Sequence, residues 1–196
     1  STRPALLHQL VRANNLTAVL GTPGSPGIST ITNQLAAYKS AQVIAAQHHN
    51  LRPKSTTKVE TISAAELDKK LGVLGSGDWV IDAGATVALT KTISDRRMDA
   101  LWLSHTLACA GNLIYVLEAH DNGISYLTEF VTDFKNLVKP PPIYFVLNQQ
   151  RFDRMGQNIQ SKFLEIVGNF PKFQIPQDHR AIRSLLDAGK IGRAHV

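Results

Sequence analysis

The residues best placed to do chemistry lie in one short run, Gly21-Thr22-Pro23-Gly24-Ser25-Pro26-Gly27-Ile28-Ser29-Thr30. It falls between an apolar stretch that reads as a buried strand and an amphipathic stretch that reads as a helix. In that setting a glycine-rich loop can cradle a phosphate: glycines let the backbone approach an anion closely, and free N–H groups and the helix N-terminus supply positive potential. The Ser29 hydroxyl stands where it can join the shell of a magnesium ion. Against this, Ile28 holds the place of a phosphate-binding lysine, and Pro23 and Pro26 each remove a backbone donor. From these residues alone, a phosphate cradle and a simple turn rich in glycine and proline remain equally open.

Other chemical arrangements are weaker. His48 and His49 are adjacent in a polar stretch, and His105 and His120 are far away in sequence, so no metal-ligand spacing forms. Ser104, His105, Asp99 and Asp121 carry triad residue types, but no Gly-x-Ser-x-Gly turn presents a nucleophile. Cys109 is the single cysteine; it lies in an apolar helical run and reads as core. It excludes an intramolecular disulfide and fits a reducing cytoplasm. Lys91, Arg96, Arg97, Arg151, Arg154, Lys162, Arg180 and Arg183 could form a basic patch for phosphates or DNA, or could simply solvate helix faces. Lys plus Arg number 21 against 15 Asp plus Glu, a mild excess that no dense basic run concentrates.

The elements that must hold the loop follow from periodicity. A helix is predicted over 4–13, a strand over 16–20, a helix over 29–38 and a strand over 41–46. The polar segment 47–57 reads as a loop. Ser63 and Glu66 make a capping-box pattern for a helix over 64–71. A strand at 79–81, a helix over 95–110, a strand over 112–117, a helix over 123–136 and a strand over 143–147 follow. Helix 157–167, strand 172–175 and helix 179–188 close the chain. Strands separated by helices predict an α/β three-layer sandwich, a mostly parallel sheet covered by helices on both faces. The 196 residues suit one domain, with a leading segment 1–15 and a core over 16–190. No apolar stretch reaches the roughly 18 residues of a membrane span, and the tail after Gly189 has no apolar face to lie on a membrane.

Several motifs in order resemble the ParA/MinD family of P-loop ATPases, whose loop reads Lys-Gly-Gly-x-Gly-Lys-Ser/Thr-Thr. Pro23 to Thr30 aligns with it without gaps; Gly24, Gly27, Ser29 and Thr30 match, while Pro23 and Ile28 stand for its two lysines. Asp78-Trp79-Val80-Ile81-Asp82 resembles the family's Walker B strand, and Ala108 to Leu117 its next helix-to-strand passage. Val146-Leu147-Asn148 resembles the strand whose Asn approaches adenine, and Ile175-Pro176-Gln177-Asp178 the element near the base. The missing signature lysine is closest to CpaE/TadZ-like pilus-assembly and septum-site proteins.

The resemblance implies a P-loop NTPase fold of the ParA/MinD kind, with ATP and Mg as cofactors bound weakly or not at all. It implies nucleotide contacts from Gly24, Ser25, Gly27, Ser29, Thr30, Asn148, Pro176 and Asp178, and a magnesium shell from Ser29 and Asp82. It also implies a cytoplasmic homodimer that positions a cellular machine through a protein partner, which could recruit it to a membrane or pole. The family's second strand ends Ile-Asp-x-Asp, but this chain reads Val43-Ile44-Ala45-Ala46-Gln47. Without both lysines and that acid, hydrolysis is expected to be absent or slow, because phosphoryl transfer rests on charge neutralisation and positioning. A slow Mg-ATPase, with Lys91 or Arg96 supplying the charge, and a DNA- or protein-binding module on the same fold are the alternatives.

Overall fold

The computed structural model describes residues 12–25, 27–46, 59–62, 64–71, 73–86, 89 and 98–177. The predicted helices over 4–13 and 179–188, the segment 47–57, and the basic residues 91, 96, 97, 180 and 183 lie wholly or almost wholly outside them.

Apolar β-rich runs separated by amphipathic ones form a seven-stranded sheet. The strands are β1 (Ala13–Gly21), β2 (Gln42–Ala46), β3 (Val59–Ile62), β4 (Trp79–Ala85), β5 (Ala110–Glu118), β6 (Ile143–Gln150) and β7 (Lys172–Pro176). Their spatial order is β3-β2-β4-β1-β5-β6-β7. Every pairing is parallel, so the mostly parallel sheet expected from sequence is entirely so. The helices are α1 (Ile28–Lys39), α2 (Ala64–Leu71), α3 (Met98–Cys109), α4 (Asp121–Lys135) and α5 (Arg154–Val167).

Direction of travel decides which face each helix covers. The chain steps from β3 to β4, β4 to β5, β5 to β6 and β6 to β7 in one direction, and α2 to α5 pack on one face through Leu67, Trp102, Phe130 and Phe163. The step from β1 to β2 runs the other way, and α1 packs on the opposite face through Ile28 and Ala36. A uniformly right-handed crossover requires this exchange of faces when the direction reverses.

Several boundaries differ from the sequence reading, and one strand is additional to it; β4 runs to Ala85, past the expected residue 81, β5 starts at Ala110, and α5 starts at Arg154. β1 begins at Ala13, so residues 13–15 belong to the sheet and not to a leading segment. Asn15, a poor strand former, is fixed there because its amide donates to the carbonyls of Gly75 at 3.2 Å and Gly77 at 2.6 Å. β6 runs past Leu147 through a polar Asn-Gln-Gln end. The short β3 is an edge strand that the sequence reading left out: Val-Glu-Thr-Ile is four residues long and, among the described residues, pairs with β2 alone.

Candidate functional site

β1 ends at Gly21, in the middle of the sheet, where strand order reverses around it: β4 and then β2 on one side, β5 on the other. In open α/β sheets the crevice beyond the strand ends at such a point is where ligands bind. Three hydrogen bonds fix the loop's start. Thr22 donates its N–H to the Val116 carbonyl at 3.0 Å, and Thr86 donates both its N–H (2.8 Å) and its hydroxyl (3.1 Å) to the Gly21 carbonyl. Ser25 N–H then closes on the Thr22 carbonyl at 3.0 Å, making a tight turn with Pro23 second and Gly24 third. Gly24 has φ +76°, so this is the type II pattern, which places proline at the second position and glycine at the third. The proline that costs the loop a donor is therefore the residue that shapes its turn.

Gly27 precedes α1 with φ +108° and supplies no side-chain cap. The first turn of α1 carries no acidic residue, so its leading N–H groups keep their capacity to receive an anion. The Ser25 hydroxyl is buried and makes no hydrogen bond among the described residues. Ser29 is half-buried and Thr30 exposed in that first turn. Ile28 is 7% exposed and packs with Val19, Val80 and Val116, its side chain lying against Gly21. The position that the sequence resemblance aligns with a lysine is thus a core position here.

Asp82 and Asn148 lie on the α1 face, two residues beyond Val80 and Val146 in their strands. Asp82 is 1% exposed, pairs in register with Val19, and accepts the Gly84 N–H at 2.9 Å. The Asn148 side chain sits against the loop, so that a Cβ on Gly27 would collide with its amide nitrogen. Gly24, Ser25, Gly27, Ser29 and Thr30, together with Asp82 and Asn148, therefore gather at one end of the sheet. Pro176 is exposed at the same end but on β7, three strand spacings or about 14 Å from β1. Asp178 and Pro26 lie outside the described residues.

Two supporting residues had no sequence signal. Thr86 joins the end of β4 to Gly21, and its side chain is hydrogen-bonded to the buried Tyr115 hydroxyl. Burial pushes the Tyr115 phenol above its ordinary range and keeps it neutral. The motif that contains Tyr115 gives it no role at the loop and none contains Thr86; the parallel register of β1, β4 and β5 brings them together.

The other sequence candidates separate. Arg151 pairs with Asp153, and Lys162 with Asp121 at 3.1 Å, so two of the proposed basic-patch residues are engaged locally. Cys109 is buried, as expected. Among the described residues no group of three or more His, Cys, Asp or Glu could hold a metal, and no helix is long and apolar enough to cross a membrane.

The architecture is that of a ParA-like P-loop NTPase. By backbone comparison the chain is similar to a ParA family ATPase from Chlorobium tepidum TLS, with 16% identity, a TM-score of 0.59, and coverage of 91% of this chain and 90% of that one. It is similar to a plasmid partition protein from Borrelia burgdorferi, with 14% identity, a TM-score of 0.56, and coverage of 89% and 96%. It is also similar to the McdA protein of Cyanothece, solved as a variant in complex with ATP, with 12% identity, a TM-score of 0.57, and coverage of 90% and 92%. No protein-family model and no curated protein matches the sequence.

Proposed function

We propose that this chain is a ParA/McdA-like positioning protein whose phosphate loop binds nucleotide through backbone and hydroxyl groups and hydrolyses it slowly or not at all. The carrying observation is the contrast at the loop: an uncapped α1 N-terminus beside Ser25, but Ile28 buried where the family places its lysine. The residues present fit a phosphate. They do not fit the charge neutralisation of phosphoryl transfer, since no Lys or Arg occurs between Gly21 and Thr30. Gly24, Ser25, Gly27, Ser29 and Thr30 would hold phosphates, Ser29 and Asp82 a magnesium ion, and Asn148, Pro176 and Asp178 the base. Bound magnesium would neutralise part of the phosphate charge without replacing the side-chain cations that the loop lacks.

The neighbours support the positioning role: two are named as ParA family or plasmid partition proteins, and the McdA neighbour was solved with ATP. In this reading the chain forms a homodimer across its nucleotide face and recruits a protein partner, as CpaE/TadZ-like proteins do in pilus assembly. It works in the cytoplasm, and the partner brings it to a membrane or pole. DNA contact would fall to basic residues outside the Arg151–Asp153 and Lys162–Asp121 pairs.

Thermal unfolding with and without millimolar Mg-ATP tests the nucleotide part. Ligand at 100 times its dissociation constant adds about 2.7 kcal/mol, which raises the midpoint of a domain this size by roughly 5–10 °C. The expected result is a rise that shrinks in Ser29→Ala, with negligible turnover. No rise at several millimolar would overturn nucleotide binding; turnover of about 1 per second or faster that Asp82→Ala abolishes would overturn the slow-or-absent hydrolysis.

A further inference from the structure

β5 ends in an acid, Glu118, set between the loop and Asn148. β5 is the strand between β1 and β6, and Glu118 pairs in register with Asn148. Gly21, the last residue of β1, pairs with Val116, so Glu118 projects past the start of the loop. Val116 packs with Ile28 under α1, and a side chain two residues along a strand returns to the same face. Glu118 therefore lies on the α1 face with Asp82 and Asn148, one strand spacing or about 4.8 Å from the line of β1 and one from β6. Its backbone is held on both sides. His120 donates its N–H to the Glu118 carbonyl at 2.8 Å, and Ala119 continues the ladder by donating to the Asn148 carbonyl at 3.0 Å. Glu118 itself is half-buried. A carboxylate so close to a phosphate cradle repels the phosphate, which is unfavourable unless the ligand also brings hydrogen-bond donors to it.

We infer that Glu118 reads the sugar of the bound nucleotide: its carboxylate accepts hydrogen bonds from the vicinal hydroxyls of a ribose, and the ligand is a ribonucleotide. The inference rests on the nucleotide reading above, which puts the phosphates at the loop after β1 and the base at Asn148 on β6. A nucleotide is joined in the order phosphate, sugar, base, and the strands stand in the order β1, β5, β6. The sugar of a ligand that reaches from the loop to Asn148 crosses the end of β5, where Glu118 stands. An ionised carboxylate offers two acceptor oxygens and no donor. That suits two neighbouring hydroxyls and suits neither a phosphate oxygen nor a ring nitrogen acceptor. In dinucleotide-binding α/β folds an acid takes a ribose hydroxyl in the same way. Because Glu118 sits on a strand end fixed by the ladder, its selectivity does not depend on a loop closing over the ligand.

The test compares Mg-ATP with Mg-2′,3′-dideoxy-ATP by isothermal titration of the full chain and of Glu118→Ala. The two ligands differ only in the hydroxyls. The expected result is binding on the order of tenfold weaker for the dideoxy ligand, with the gap closing in Glu118→Ala. Glu165→Ala, at an exposed position on α5 of the opposite face, should keep the full gap. Equal affinity of the parent for the two ligands overturns the inference and leaves nucleotide binding standing. A gap that persists in Glu118→Ala does the same. Failure of both ligands to bind overturns the nucleotide reading and this inference together. If Glu118→Ala does not fold, Glu118→Gln keeps the shape and one neutral acceptor, and the gap should narrow to about threefold, since bonds to an ionised acceptor are roughly twice as strong; an unchanged gap there overturns the inference.

Discussion

Replacing Ile28 by lysine separates two properties of one position, its place in the core and its nearness to the proposed phosphate cradle. Ile28 is 7% exposed, packed with Val19, Val80 and Val116. Burying an isoleucine is worth about 1.5–3 kcal/mol. A lysine can lay its stem on the same surface while its ammonium reaches toward water at the loop, which recovers part of that. The expected loss is about 2 kcal/mol without ligand, and the midpoint should fall by roughly 4–8 °C. With Mg-ATP the sign reverses. A unit charge about 4 Å from a phosphate charge gains up to ~4 kcal/mol at an effective dielectric near 20. The ATP-dependent rise in midpoint should therefore exceed that of the parent. Ile28→Val, which costs about 0.5–1.5 kcal/mol as a cavity change, should leave the ATP-dependent rise unaltered. Paired thermal melts of the three chains measure all of this. An unchanged midpoint for Ile28→Lys without ligand refutes the packing argument, and an ATP-dependent rise no larger than the parent's refutes the cradle.

Thr86→Val should cost about 1–3 kcal/mol in denaturant unfolding, because the buried Tyr115 hydroxyl loses its partner and the Gly21 carbonyl one donor. Adding Tyr115→Phe should recover part of that loss; strictly additive losses would refute the network. Asp153 caps α5 by accepting the Gly156 N–H at 2.8 Å, and that bond, with Arg151 beside it, holds its carboxyl below the usual range. A depressed pKa stabilises the fold above the ordinary carboxylate pKa, and the stabilisation is lost as pH falls through the folded value. Asp153→Ala should therefore melt earlier than the parent at neutral pH, with the gap closing in acid; a pH-independent gap would exclude the charged cap. Lys162→Ala, at an exposed ion pair with Asp121, should change stability by less than about 1 kcal/mol; a larger loss would mean that the pair organises the α4–α5 contact.

Helices α1, α2 and α4 were legible because their apolar residues recur at helical spacing and the breaks between them carry Gly, Pro or capping residues. α2 matches its expected range, 64–71. The strand cores were legible for the same reason, but their ends were not. Asn14 and Asn15 lie in β1 where its register with β5 is irregular, Asn15 held by side-chain bonds, and Asn148 and Gln150 pair with Glu118 and Pro176, against their local preference. The loop was found from its glycines, yet its conformation was not readable. A proline that looked like a lost donor turns out to set a turn that Gly24 completes at φ +76°.

By itself the sequence determined the alternation of strands and helices, the place of the glycine-rich loop after the first strand, and the absence of cationic side chains within it. These are local properties of residue type and spacing. The resemblance implied that Asp82 and Asn148 share a site with that loop; only the tertiary structure decided that the Asn148 side chain lies against Gly27, that Thr86 binds the Gly21 carbonyl beside Tyr115, and that Ile28 is core. The physical reason is register. In a parallel sheet, residues tens of positions apart become neighbours through hydrogen-bonded pairing alone, and no local pattern encodes which residue will face which.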